Sequence, residues 1–320
     1  MTLATTFGID GPALTARERS FHREADPWCF ILFKRNIENP EQVRRLTADL
    51  RDCVGREAPI LIDQEGGRVD RLGPPHWPAH VPPLEVAAGQ GLDARAEALR
   101  TRYARIGADL AALGIDVNCA PTLDIAGPAT HPFLRNRCYA EAAGEVAVLG
   151  RAVADGLADA GVLPVMKHMP GHGRGAVDSH HDLPRTDAPR PGLEAVDFAP
   201  FRALADPPMA MTAHVVVEAF DPTSPVTTSA EMIRSIRGES GFDGLLMTDD
   251  IGMNALEGAV EDRALRALAA GCDLVLHCNG NLQERERVAN VLPPLTAAAA
   301  ARADRALAQR PALKEAAHAR

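Results

Sequence analysis

No stretch of this sequence reaches the roughly 18 consecutive apolar residues that a membrane span needs. Residues 1–10 lack the basic segment and long apolar run that mark an export signal. No Cys-x-x-Cys pair occurs among Cys29, Cys53, Cys119, Cys138, Cys272 and Cys278, and four of the six sit in or beside apolar, strand-like runs. That pattern reads as buried free thiols in a reducing compartment, not as a disulfide framework. A cytoplasmic protein without membrane contact is therefore expected. Charge of one sign forms no block: 34 Lys and Arg against 43 Asp and Glu leave a net charge of −9, dispersed along the chain. A nucleic-acid partner would call for a basic stripe, and none is present. A linker rich in Pro, Gly or Ser is missing too. Since α/β barrels routinely use this length as one unit, residues 1–320 are read as a single domain, expected to be a monomer. With 46% apolar residues the chain can bury a core that needs neither disulfides nor a structural metal.

What is present is an alternation of short apolar runs and amphipathic stretches. The predicted strands are residues 4–9, 29–33, 59–62, 115–119, 163–166, 209–217, 244–247 and 273–277, apolar enough to be buried on both faces of a parallel sheet. Helical spacing is clear over 40–54, with Asn39 as N-cap, and over 93–113; further helices are read near 140–160, 229–238, 262–270 and in the Ala-rich tail. Eight alternations predict a single (β/α)8 TIM barrel. The competing doubly wound sheet would carry a Gly-rich fingerprint after its first strand, which Gly8-Ile-Asp-Gly11 does not provide. Polar groups follow nearly every strand: Lys34-Arg-Asn36, Asp63-Gln-Glu-Gly-Gly67, Pro121-Thr-Leu-Asp124, Lys167-His168, His214, Asp249-Asp250 and His277. A barrel active site is assembled from such strand ends.

Four segments carry chemistry. In Gly244-Leu-Leu-Met-Thr-Asp-Asp-Ile-Gly252 a buried strand ends on two adjacent carboxylates. Neighbours on a strand point to opposite sides, so one can face the barrel axis while the other does structural work. The plain alternative is a helix cap. In Lys167-His-Met-Pro-Gly-His-Gly-Arg-Gly-Ala-Val-Asp-Ser-His-His181, Asp178 and His180 are spaced i, i+2 and so share one side of an extended segment. An Asp beside a His fixes its tautomer and makes a general acid/base near neutral pH. Gly171, Gly173 and Gly175 let this loop, Pro170 to Leu183, act as a mobile lid. His168, His172, His180 and His181 with Asp178 could instead hold a metal. A metal-dependent barrel hydrolase, however, would carry His-x-His after its first strand, where this chain has Ile9-Asp10. His181 is assigned no role.

The third segment, Asp63-Gln-Glu-Gly-Gly-Arg-Val-Asp-Arg71, places a carboxylate at a strand end, where it can accept from sugar hydroxyls. Arg68 and Arg71 either hold an anionic group or pair with Asp70 and Glu65. The fourth, Pro132-Phe-Leu-Arg-Asn-Arg-Cys-Tyr139, offers Arg135 or Arg137 to the mouth.

Together these segments, with Asn118-Cys-Ala-Pro-Thr-Leu-Asp124, Thr212-Ala-His214 and Thr248-Asp-Asp250, keep order and spacing over nearly the whole chain. The chain resembles glycoside hydrolase family 3, in particular its cytoplasmic β-N-acetylglucosaminidase branch of peptidoglycan recycling. The resemblance implies a retaining exo-enzyme that removes terminal β-linked N-acetylglucosamine from muropeptide fragments through a covalent glycosyl-enzyme. It makes Asp249 the nucleophile and His180, assisted by Asp178, the acid/base, and aligns Asp63, Arg71, Arg137, Lys167 and His168 with substrate-binding positions. No cofactor and no metal are implied. Thr248 and Asp70 stand where the family usually has Ser and Gln. Two readings from other classes stay open here, a metal-dependent barrel amidohydrolase and a non-catalytic sugar-binding barrel; phosphate in place of water as acceptor is also left open.

Overall fold

Along each apolar run, alternate residues go to two different cores. Phe30, Leu32, Ile60 and Ile62 pack with Val43, Leu46 and Leu50 of the helix Pro40–Val54. Their neighbours Cys29, Ile31 and Leu61 join Val117, Val165, Met211, Met247 and Leu276 in a second cluster. Strands buried on both faces are what a barrel wrapped in helices requires, and this explains runs with no polar alternation.

The computed structural model describes residues 1–128, 130–175, 177 and 182–310. Eight parallel strands close into a barrel: β1 (Leu3–Gly8), β2 (Pro27–Leu32), β3 (Ile60–Ile62), β4 (Val117–Asn118), β5 (Leu163–Met169), β6 (Met209–Thr212), β7 (Leu245–Asp250) and β8 (Leu274–His277). Each strand pairs with the next in sequence, and β1 closes the ring on β8 through Thr5 opposite Val275 and Phe7 opposite His277. This is the predicted TIM barrel. Helix Pro40–Val54 has its predicted bounds, with Asn39 accepting from the Gln42 N–H at 2.9 Å. Leu92–Ala111, Ala143–Asp159, Ala230–Gly238 and Val260–Ala270 fall within a few residues of expectation.

Two strand readings need correction. The run read as one strand over 209–217 stops at Thr212, and Val216–Val217 pairs instead with Arg185–Thr186 in a separate two-stranded sheet. Apolar character continues through the break because Ala213 and Val215 stay buried while the chain turns. β5 runs on to Met169, so Lys167 and His168 lie inside the strand and not just beyond it.

The amino-terminal mouth is plugged. Ala303 and Ala306 of the last helix, Ala297–Leu307, enter the interior cluster beside Trp28 and Leu163. Arg302 bonds Asp243 and Asp273, which lie within two residues of the starts of β7 and β8, and Arg310 bonds Asp116 just before β4. All six cysteines are buried and unpaired. No helix of the described residues is long and apolar enough to cross a membrane.

Candidate active site

At the carboxyl end of the barrel the strand ends leave a cavity of about 270 Å³. Asp63 follows β3, Lys167 and His168 come from β5, Asp249 comes from β7, and Arg71 and Arg137 reach in from the loops after β3 and β4. These are the six described members of the residue set picked from the sequence, and the fold brings all of them to one cavity. Asp178 and His180, with His181, lie outside the described residues, as does part of the loop read as a lid.

The cavity wall is an ionic lattice. Asp63 accepts from Lys167 Nζ at 2.8 Å through Oδ1 and from Arg71 Nη2 at 3.3 Å through Oδ2. Glu65, 1% exposed, accepts both Nε and Nη2 of Arg137 at 2.9 and 2.8 Å and lies 2.5 Å from Lys167 Nζ. Burial alone would raise the pKa of Asp63, but Lys167 and Arg71 outweigh it and hold the carboxyl well below the usual range. In Glu65 the same contest, won by Arg137 and Lys167, brings the pKa down to about 2. Burial works against the cations, yet Asp63 and Glu65 push the pKa of Lys167 upward, and Glu65 does the same for Arg137. Opposite charges thus lock one another in the ionised state, oriented before a ligand arrives.

One of the two readings left open by the sequence paired Glu65 and Asp70 with Arg68 and Arg71. That reading is corrected: Glu65 is buried and serves Arg137 and Lys167, Arg71 serves Asp63, and Asp70 is taken by Gln64 and by His80 at 3.1 Å. A usable signal was present. Asp63 and Glu65 are spaced i, i+2 at a strand end, so both turn inward, while Gln64 between them bonds the backbone of Arg71 and Leu72. The choice between Arg135 and Arg137 is also resolved. Arg137 is buried in the cavity wall, whereas Arg135 binds the Ala126 and Gly127 carbonyls and Glu141.

His168 is held from both sides. Its Nδ1 lies 2.6 Å from Asp124 Oδ2, and its Nε2 lies 3.2 Å from Arg137 Nη2. The other Asp124 oxygen accepts the His172 N–H at 2.6 Å. Arg137 can only donate, so His168 Nε2 accepts from it and Nδ1–H donates to Asp124, which sets the ring's tautomer. Burial depresses the His172 pKa to about 4. Asp124 was noticed as a strand-end residue but given no part; its partner, 44 residues distant, is supplied by the fold.

The adjacent carboxylates on β7 separate as strand alternation predicts. Asp250 is consumed internally, accepting from the Gly252 and Cys278 N–H groups through Oδ1 and from Asn279 Nδ2 through Oδ2. Asp249 is half-buried, lines the cavity and accepts the Asp250 N–H at 2.7 Å. Burial would raise its pKa, but His214, His168 and Lys167 together lower it, so it stays a carboxylate. His214 Nε2 donates to the Asp250 carbonyl at 3.0 Å, and its Nδ1 sits 2.7 Å from Thr227 Oγ1, bracing the strand end that carries Asp249.

Other strand-end groups go elsewhere. His277 points outward to Glu284, 2.8 Å away. Arg35 and Asn36 hold the Ile9 and Cys278 carbonyls and so tie the ends of β1, β2 and β8 together. Of the five residues weighed as metal ligands only His168 and His172 are described, and no group of three potential ligands occurs among the described residues.

An ionised carboxylate facing a small polar cavity with fixed donors and acceptors is suited to binding a sugar and attacking its anomeric carbon. Comparison with known proteins bears on this. Residues 29–309 match the glycosyl hydrolase family 3 N terminal domain. A beta-hexosaminidase of Alkalilimnicola ehrlichii is 39% identical over 280 residues, covering 85% of this chain and 79% of that protein. The family 3 beta-N-acetylglucosaminidase of Paenibacillus sp. superposes with a TM-score of 0.83 at 33% identity; the match covers 98% of this chain and 61% of that one. NagZ from Neisseria gonorrhoeae, solved with N-trifluoroacetyl-D-glucosamine, superposes at 0.85 with 29% identity over 98% of this chain and 96% of its own. The same protein has also been solved with a zinc ion.

Proposed function

The chain belongs to glycosyl hydrolase family 3, and from that membership we propose that this glycoside hydrolase is a retaining exo-β-N-acetylglucosaminidase acting on muropeptide fragments, with Asp249 as nucleophile. The observation that carries the proposal is the Asp249 carboxylate, kept ionised at the end of β7 and facing the lattice of Asp63, Lys167, Arg137 and His168 across one cavity. The cavity, about 270 Å³, lies just below the roughly 300–1,000 Å³ usual for ligand sites, which suits a single terminal sugar.

In this mechanism Asp63, its two oxygens aligned by Lys167 and Arg71, accepts hydrogen bonds from sugar hydroxyls. Arg137, Lys167 and His168 orient the rest of the ring and the acetamido group. Asp249 attacks the anomeric carbon, the glycosidic C–O bond breaks, and the leaving oxygen takes a proton from His180. Water, deprotonated by His180, then displaces Asp249 and releases N-acetylglucosamine with retention. Most retaining enzymes use a second carboxyl group about 5–5.5 Å from the first; here Asp178 and His180 take that part, an assignment supported by sequence spacing and by the family resemblance. One domain, a monomeric state and a cytoplasmic location belong to the same proposal, the last supported by six unpaired cysteines.

The direct test is to incubate the purified protein with a nitrophenyl β-N-acetylglucosaminide and the matching β-glucoside, with and without chelator. Fast release from the N-acetyl sugar alone, indifferent to chelation, is expected. Equal release from both would remove the substrate assignment, and loss on chelation with recovery on adding one metal would favour the metal hydrolase.

A further inference from the structure

Two arginines line the cavity, both of them committed, and a third stands beside them against a ring of the cavity wall. Arg71 is bound to Asp63 and Arg137 to Glu65. The third, Arg68, is exposed, and its guanidinium carbon lies 4.3 Å from the centre of the Phe133 ring. Phe133 lines the cavity and carries Arg137 at 5.2 Å as well, so the ring is flanked by one cation engaged in the lattice and one outside it. The carboxylates nearest Arg68 in sequence are spent: Glu65 on Arg137 and Lys167, Asp70 on Gln64 and His80. Among the described residues Arg68 has no carboxylate within ion-pair distance.

A guanidinium stacked on an aromatic face keeps its in-plane N–H groups free while losing much of its rotational freedom. That leaves a planar, preoriented fork of the kind that binds carboxylate bidentately. Its place matters as much as its chemistry. Val69, the next residue in the chain, and Phe133, on which it stacks, both line the cavity, so Arg68 stands on the rim. In an exo-acting enzyme the terminal sugar fills the interior and the leaving group projects through the mouth. We infer that Arg68, seated on Phe133, recognises a carboxylate carried by the leaving group of the substrate. The inference rests on the activity proposed above and names an acidic aglycone as its preferred class. In a protein of net charge −9, a local cation at the mouth also favours approach of an anion that the overall charge repels.

The test compares wild type with Arg68→Gln on four substrates: a nitrophenyl β-N-acetylglucosaminide, neutral N,N′-diacetylchitobiose, N-acetylglucosaminyl-β-1,4-N-acetylmuramic acid, and the same disaccharide bearing a stem peptide. The variant is expected to lose about three- to tenfold in kcat/KM, through KM, on acidic substrates only, as a rim-exposed charge contact allows. Arg68→Lys, which keeps the charge without the planar stack, should recover part of the loss, and added salt should shrink the wild-type preference. Loss on the peptide-free disaccharide assigns the anion to the lactyl ether; loss confined to the peptide-bearing one assigns it to the peptide. Equal losses on all four substrates, or none on any, would overturn the role of Arg68 while leaving the activity standing. A wild-type protein inert on the nitrophenyl sugar would overturn the activity and this inference with it.

Discussion

Asp63 and Asp273 stand at opposite ends of the barrel, and each is flanked by two cations. Asp63 has Lys167 at 2.8 Å and Arg71 at 3.3 Å; Asp273 has Arg237 at 2.6 Å and Arg302 at 3.0 Å. Asp273 also takes the Leu246 N–H and lies near the helix Ala297–Leu307 that plugs the barrel. Asp63 opens instead onto the cavity that Asp249 faces. The same pair chemistry thus fastens a seam at one end and lines an open cavity at the other. The difference is space, not charge: one end is closed by alanines small enough to enter the interior, the other is left hollow.

The sharpest way to break this contrast is at Asp249. Asp249→Asn removes the proposed nucleophile but keeps size and the hydrogen bond from Asp250, so turnover should fall by about four orders of magnitude or more with the melting temperature little changed. Turnover within tenfold of wild type would move the nucleophile elsewhere. Glu65→Gln comes next, because it affects both function and stability. Cutting one side of a buried ion pair costs about 3–5 kcal/mol, and Arg137 and Lys167 lose their common anchor. Kinetics and denaturant unfolding should show a raised KM together with lowered stability; stability lost without any change in KM would reduce Glu65 to a core residue.

The eight strands were legible because burial on both faces leaves continuous apolar runs, and a strand followed by polar residues marks the functional end. The stop at Thr212 was not legible, since burial continues after strand pairing ends. Asp63, Lys167 and Asp249 could be picked as strand-end charges in a matching motif. Glu65 and Asp124 could not be assigned, because their partners lie 72 and 44 residues away and only barrel closure brings them together. The Asp178–His180 pair lies outside the described residues, so its reading still rests on spacing and resemblance.

Acid should weaken the fold through the lattice. Asp63, Glu65 and Asp249 have pKa values lowered by folding, so each contributes stability that is present above its unfolded value and lost as pH falls through the folded one. For Glu65 the window runs from its ordinary 4.5 down to about 2. Unfolding free energy measured against pH should therefore decline below about pH 4.5, and Glu65→Gln should flatten part of that decline. An undiminished decline in the variant would mean that Glu65 is not ionised in the native protein. The smallest effect belongs to the closed end. Arg302→Ala should cost about 1 kcal/mol, read from denaturant unfolding, and leave kcat/KM unchanged; a change in kcat/KM would show that the plug and the cavity are coupled.

The claim on which the rest depends is that Asp249 attacks the sugar. A 5-fluoro N-acetylglucosaminyl fluoride should inactivate the protein with one sugar bound per chain, and peptide mapping by mass spectrometry should find that sugar esterified to Asp249. A sugar on Asp250, or steady turnover with no covalent adduct and inverted product, would contradict it.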